Sequence, residues 1–189
     1  MPYYKLIYDY ENDDNYVNCD TADIGGYSEY ITTEGQVIEQ WNPVLFEYSS
    51  SEGAVLTDYL ANVHRWLAVS SAFKQLTKEL INDEVQYLPI NLLDRDTNSD
   101  VSTYYVANII EVVDALDLEN SKYDVFELDD EKIFMVEKYA LKGKEIIGKH
   151  IFRLKGDTVP IFVSDTIKKI IEENELVGFR FLEVAVTME

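Results

Sequence analysis

The sequence predicts an α+β fold that is mostly β and contains two strand–helix–strand units. Three observations carry this. Short runs rich in aromatic and β-branched residues recur along the chain, at Tyr3–Tyr8, Val44–Tyr48 and Ile151–Leu154. Two segments pass from an extended apolar run to helical periodicity and back to an extended run. Residues 104–113 form a nearly continuous apolar run, the pattern of a strand buried on both faces. No Pro-, Gly- or Ser-rich linker divides the 189 residues. One domain is therefore expected, with an acidic, Tyr-rich part over 1–43 leading into 44–189.

Taken in order, residues 3–8 open the fold as a strand. Residues 9–35 are acidic, rich in Asn, and include Gly25-Gly26; they read as a long loop with a short strand at 27–31. Val44–Tyr48 is the next strand, broken by Ser49-Ser50-Ser51-Glu52-Gly53. Residues 66–69 are extended and apolar. Ser70 or Ser71 then caps a helix, because a hydroxyl there accepts from an otherwise unpaired amide of the first turn. Phe73, Leu76 and Leu80 fall on one helical face, and Val85, Tyr87 and Pro89 resume an extended run. The 94–100 loop is the one candidate for an internal boundary. Beyond the buried run, residues 123–128 and 133–136 read as a hairpin about Asp129-Asp130-Glu131-Lys132, and 151–154 as a short strand. Residues 160–163 lead into Ser164 as an N-cap, with Asp165 near the positive helix end. Ile167, Ile170 and Ile171 share a face, and a last strand begins at Phe179 after Gly178.

The second unit follows the first by 94 residues without a gap. Val69-Ser70 matches Val163-Ser164, Lys74 matches Lys168, and Glu79 matches Glu173. These identities, with the shared change of period, raise an internal duplication as a hypothesis.

Charge is the most unusual feature. The chain has 36 Asp and Glu against 16 Lys and Arg, a net charge of −20. Residues 1–60 contain twelve acids and one base, Lys5, with nine of the 14 tyrosines and Trp41. Such a surface repels phosphate backbones, which argues against nucleic-acid binding. It attracts a cationic protein and speeds the encounter. Tyr and Trp are frequent anchors of protein interfaces. The candidate interface residues are Glu11, Asp13, Asp14, Asp20, Asp23, Tyr27, Tyr30 and Trp41. The plainer alternative is a solvated acidic face that keeps the protein soluble. Residues 138–155 run the other way, with Lys138, Lys142, Lys144, Lys149, Arg153 and Lys155 against Glu145. They either pair with the acidic part or bind an anion. The N-terminus lacks the basic and apolar regions of a signal peptide, and no window is apolar enough to span a membrane. A single Cys19 rules out an intrachain disulfide. A cytoplasmic protein is expected.

Motifs for chemistry fail one by one. Two histidines, His64 and His150, leave little material for a nucleophilic triad, and Cys19 lies in an acidic loop that disfavours a thiolate. One Cys and two isolated His do not make a zinc site. Asp94, Asp96, Asn98 and Asp100 match the first oxygen positions of a calcium loop, but Ser99 replaces the turn glycine and Tyr105 the bidentate Glu. Residues 143–150 approach a phosphate-binding loop, but His150 stands where Ser or Thr is needed and a strand follows instead of a helix. Asp114 and Asp117 offer paired carboxylates without any substrate-binding pattern around them. Carboxylates at a strand end commonly hold a turn. No cofactor or metal is expected.

Two segments carry a resemblance. One is Ile151-Phe152-Arg153-Leu154-Lys155-Gly156, then Val159-Pro160-Ile161-Phe162-Val163-Ser164, Ile167-Lys168 and Leu176-Val177-Gly178-Phe179-Arg180-Phe181. The other is Val112-Val113-Asp114-Ala115-Leu116-Asp117, with Ser121 shortly after. Together they resemble the immunity-protein family of bacterial polymorphic-toxin systems, immunity family eleven, formerly a domain of unknown function. The similarity is densest over 102–184, weaker back to about residue 44, and does not cover 9–40. The resemblance implies a cytoplasmic antidote with no catalytic residues. Among the residues matching the family pattern, Ser164 is read as a helix cap, Gly178 as a turn, Asp117 as a turn holder and Arg153 as a partner of Asp114 or Asp117.

The resulting expectation is a non-enzymatic protein that binds a basic cognate toxin and neutralises it by occlusion. The alternatives are an enzyme of unrecognised class using Asp114, Asp117 or His150, and a protein mimic of nucleic acid with acids in regular rows.

Overall fold

The computed structural model describes residues 1–12, 14–128 and 131–188; Asp13 and the centre of the 129–132 turn lie outside them. The first strand, β1 (Tyr3–Tyr8), joins a sheet built by the far end of the chain. The next elements are β2 (Asn18–Cys19), β3 (Thr21–Asp23), β4 (Val44–Tyr48), β5 (Tyr59–Asn62), β6 (Ala68–Ser70), α1 (Ser71–Ile81), β7 (Val85–Asp94) and β8 (Ser99–Ile109). Strands β2 to β8 make one sheet in the order β2-β5-β6-β8-β7-β4-β3. Its end strands β2 and β3 are consecutive in the chain with Asp20 alone between them. The sheet therefore curls until its two ends meet, and a kinked segment over 18–23 closes it into a small barrel. Closure removes the free edges that an open sheet exposes. Phe46, Leu60, Trp66, Leu92 and Val106 fill the interior.

The second half repeats the plan. Its elements are β9 (Val112–Val113), β10 (Lys122–Leu128), β11 (Glu131–Lys138), β12 (Ala140–Lys142), β13 (Ile151–Leu154), β14 (Asp157–Ser164), α2 (Asp165–Glu173) and β15 (Phe179–Thr187). The sheet order is β12-β15-β1-β14-β13-β9. Past β9 the chain crosses to the opposite edge, where Leu116 bridges to Leu141 of β12. This sheet is closed in the same way, around Tyr3, Leu141, Phe152, Leu154 and Phe162. Among the described residues, strands β10 and β11 pair only with each other.

Residue pairings repeat along both halves. Tyr104 pairs with Ser70 and Ile90, and Tyr3 pairs with Ser164 and Val184. Tyr105 pairs with Val69 and Pro89, and Tyr4 with Val163 and Glu183. Each pair of partners is separated by 94 residues. The closing segments pair alike with a small slip of register: Cys19 with Asn62 and Val113 with Leu154, Ala22 with Phe46 and Leu116 with Leu141, so the closing residues keep the 94-residue spacing while their partners lie 92 and 95 residues apart. Strand β1 thus fills in the C-terminal barrel the place that β8 fills in the N-terminal one.

The helices lie between the barrels. Phe73 and Ile81 of α1 and Ile167 and Ile171 of α2 share one core with Val69, Val163 and Tyr59. Each such fully buried side chain contributes about 1.5–3 kcal/mol. Both helices start as the sequence predicts. Ser70 accepts the N–H of Phe73 at 3.2 Å, and Ser164 that of Ile167 at 3.4 Å. No helix among the described residues is long and apolar enough to cross a membrane.

Three expectations need correction. Residues 27–31 are not a strand: the Tyr27 N–H donates to Ile24, the Ile31 N–H to Ser28, and a 3-10 turn follows at Ile31–Thr33. The strands of this region are β2 and β3, which close the barrel. On α1 the buried face is Phe73, Thr77 and Ile81, and Leu76 is 40% exposed. Thr77 is admitted because its hydroxyl donates to the Phe73 carbonyl at 2.8 Å and meets the Tyr87 hydroxyl at 2.9 Å. The 94–100 loop is no boundary but the tight turn of the β7–β8 hairpin. The Asp94 carboxylate holds it, accepting from the Thr97 hydroxyl at 2.7 Å and the Asp96 N–H at 3.0 Å. These bonds, the Thr97 hydroxyl foremost, lower the Asp94 pKa to about 2.

Candidate interaction surface

Residues 24–41 pack over the N-terminal barrel, and their sequence explains how. Apolar side chains Ile24, Tyr27, Ile31, Ile38 and Trp41, spaced among acids, turn inward against the barrel core. The backbone is pinned from below. The Gln86 amide both accepts the Ile38 N–H and donates to the Ile38 carbonyl, each at 2.9 Å. Asn108 donates to the Gln36 carbonyl at 2.8 Å. The indole N–H of Trp66 donates to the Glu29 carbonyl at 2.7 Å, and that of Trp41 to the Pro89 carbonyl at 2.8 Å. Tyr27 stacks on Trp41 with ring centroids 4.9 Å apart, and its hydroxyl accepts the Asn42 N–H at 2.8 Å. Two of the sequence-predicted interface residues, Tyr27 and Trp41, are therefore internal anchors of this cover.

The acids face outward. Asp14, Asp20, Asp23, Glu29, Glu34 and Glu39 are exposed, and Tyr30 is 62% exposed beside them. A hydrogen bond to the Glu29 carboxylate raises the Tyr30 pKa. Asp23 accepts the Gly25 N–H at 2.9 Å, fixing the turn into the cover. Asp20 pairs with Arg95 at 2.9 Å. Among the described residues, Asp14, Asp23, Glu29, Glu34 and Glu39 have no cation within ion-pair distance. Glu11 stands apart, paired with Arg180 of β15 at 2.6 Å. Asp13 lies outside the described residues. Cys19 is buried in the barrel, and burial pushes its thiol up to about 12, so it is not a nucleophile.

The side chains of the enzyme alternative serve the fold and sit in separate environments. Asp117 accepts from the Glu119 and Asn120 N–H groups, the Asn120 amide and the Thr187 hydroxyl, between 2.8 and 3.2 Å. The Thr187 bond is the main reason its pKa lies below the usual carboxylate range. Asp114 is an exposed partner of Lys155 and Lys142. His150 Nδ1 meets the Ser164 hydroxyl at 2.9 Å, and burial lowers its pKa. The expected pairing of Arg153 with Asp114 or Asp117 does not occur. Arg153 is 3% exposed and donates instead to the Thr158 and Val159 carbonyls at 2.6 and 2.7 Å. Burial lowers its pKa to about 10. Gly178 has φ +94°, and a Cβ there would lie 2.4 Å from the Tyr59 carbonyl. A groove of about 210 Å³ between the barrels, lined by Tyr8, Tyr59, Arg65 and Val159 among others, is smaller than ordinary small-molecule sites.

The family model of the immunity protein family (Imm11) matches residues 7–186. The chain belongs to the Imm11 family. No curated protein matches it significantly. The Imm11 match takes in the acidic cover segment, which the resemblance read from the sequence left out. Within this Imm11 chain a further signal is visible in hindsight. Asp20-Thr21-Ala22-Asp23 recurs 94 residues later as Asp114-Ala115-Leu116-Asp117. Asp23 and Asp117 each accept the N–H two residues on, and Asp20 and Asp114 each pair with cations. The repeated Asp-x-x-Asp marks the two barrel-closing kinks, and aligning the halves by it reveals the closing segments.

Proposed function

We propose that this Imm11 protein binds a cognate bacterial toxin and neutralises it by occlusion in the cytoplasm, with no reaction of its own. Membership of Imm11 carries the reading, and the cover segment supplies the place. A pinned backbone presents Glu29, Glu34 and Glu39 at a low ordering cost on binding, which favours affinity, and the exposed Asp14, Asp20 and Asp23 precede it in the chain. A partner with a basic working face fits this surface, and long-range attraction speeds the encounter. A stable complex of this type buries roughly 1,600 Å². The non-enzymatic half of the reading is supported by the roles of the family-pattern residues: Ser164 caps a helix, Asp117 holds a turn, Asp114 forms ion pairs and Arg153 donates to main-chain carbonyls.

We also infer that the two barrels descend from one duplicated unit whose first strand was exchanged. The 94-residue register of their pairings supports this. The exchanged strand makes 1–189 one folding unit.

The test is co-expression with the toxin encoded beside this gene. The intact chain restores growth and co-purifies with the toxin. A chain that neither protects nor binds contradicts the proposal.

A further inference from the structure

The repeat places two insertions at one position. Residues 24–43 run from the first closing segment to β4, and residues 118–139 from the second closing segment to β12. In the N-terminal barrel this stretch folds inward and buries its apolar side chains. In the C-terminal barrel it becomes the β10–β11 hairpin, which among the described residues joins no other sheet; Val136 packs against the barrel core, and other apolar side chains stay outside. Val125, Phe126 and Met135 are 45%, 51% and 58% exposed.

The hairpin register explains which of these act together. Asp124 pairs with Met135, and Phe126 with Ile133, so Phe126 and Met135 are diagonal neighbours on one face. Asp124 and Glu137 flank them on that face, and Glu137 also pairs with Lys122 at the base. The result is an apolar platform edged by acid. Among the described residues both outer edges of the hairpin lack a strand partner, and neither strand contains proline. Soluble proteins normally blunt such edges. Here the bulge at Lys122/Tyr123 and the charged residues along both strands do that, and what stays open to a partner is the exposed Phe126/Met135 face.

Charge selects what covers it. A second copy of this chain would bring Asp124 and Glu137 against their like, on a molecule of net charge −20. An apolar cleft rimmed by Lys and Arg complements the platform. We propose that the hairpin is a second docking arm, whose Phe126/Met135 face enters such a cleft on the same toxin. This rests on the toxin-binding reading above.

The experiment measures the Kd of an inactivated form of the toxin encoded beside this gene. The chains compared are wild type, Phe126→Ser/Met135→Ser and Asp124→Lys, each checked for an unchanged thermal midpoint and hairpin amide exchange. The apolar double variant binds at least about tenfold more weakly, mainly through faster dissociation. Asp124→Lys associates more slowly at low salt and less so at high salt. Wild-type affinity in the double variant, with the hairpin intact, overturns the proposal while leaving the toxin-binding reading standing. Failure of the wild type to bind overturns both. A wild-type dimer in sedimentation that the double variant dissolves, with toxin affinity unchanged, makes a second copy the occupant and also overturns it.

Discussion

The buried carboxylate of Glu84 accepts the backbone N–H of His150 at 3.1 Å, and that of Ile151 at 3.0 Å. At the matching place in the other half, the Val177 carbonyl accepts the N–H groups of Asp58 and Tyr59 at 3.0 and 3.1 Å. A side chain from the first half thus holds the second, and main chain from the second holds the first. These reciprocal bonds tie the barrels across their shared core.

Glu84 is accordingly a stability residue. Glu84→Ala leaves two N–H groups without an acceptor and costs about 2 kcal/mol. Burial raises the Glu84 pKa above the ordinary carboxylate value. With the folded-state pKa raised, its contribution is full below the unfolded-state pKa and is lost as pH rises through the folded value. The stability of wild type relative to Glu84→Gln therefore falls as pH climbs from about 4 toward neutrality. Denaturant titrations across that range check this; a difference that grows with pH contradicts it.

Two glycine substitutions separate conformational strain from steric conflict. Gly178→Ala meets both, since φ is +94° and the new Cβ would lie 2.4 Å from the Tyr59 carbonyl. It lowers stability by roughly 2–4 kcal/mol. Gly25→Ala meets φ alone, at +61° with nothing within 4 Å, and costs about 1 kcal/mol. Equal losses in thermal unfolding would show that the contact at Tyr59 does not matter.

Gln86→Ala removes the clamp on Ile38 without touching any acid. Amides at 36–38 then exchange about tenfold faster or more, while the β7–β8 core keeps its protection. The toxin also associates more slowly, because the acidic cover is no longer held ready. Unchanged exchange at these amides would mean that Trp41 and Trp66 suffice to hold it.

Local signals were readable from the sequence. Ser70 and Ser164 announce their helices, β-branched and aromatic runs announce β1, β4 and β13, and the 104–113 run marks part of the central strand β8, which ends at Ile109, while Val112 and Val113 pass to the other sheet. Barrel closure was not readable, because β2 and β3 are only two and three residues long and acquire strand geometry from distant partners. The likeness of the two halves showed itself at Val69-Ser70 and Val163-Ser164, yet its extent lies in backbone pairing that few shared side chains mark. Arg153 misled because a cation in an acid-rich chain suggests an acid partner, whereas its strand aims it at two carbonyls. Aromatic clustering drew attention to Tyr27 and Trp41, but it could not show that they stack on each other and anchor the cover.

The account turns on a rigid acidic cover meeting a basic toxin. Its most direct measurement is the toxin association rate against ionic strength, for wild type and for Glu29→Lys/Glu34→Lys/Glu39→Lys. The account predicts a wild-type rate that drops steeply with salt. It predicts a variant about tenfold or more slower at low salt, the two converging when the field is screened. Equal rates for both proteins at every salt concentration would contradict it.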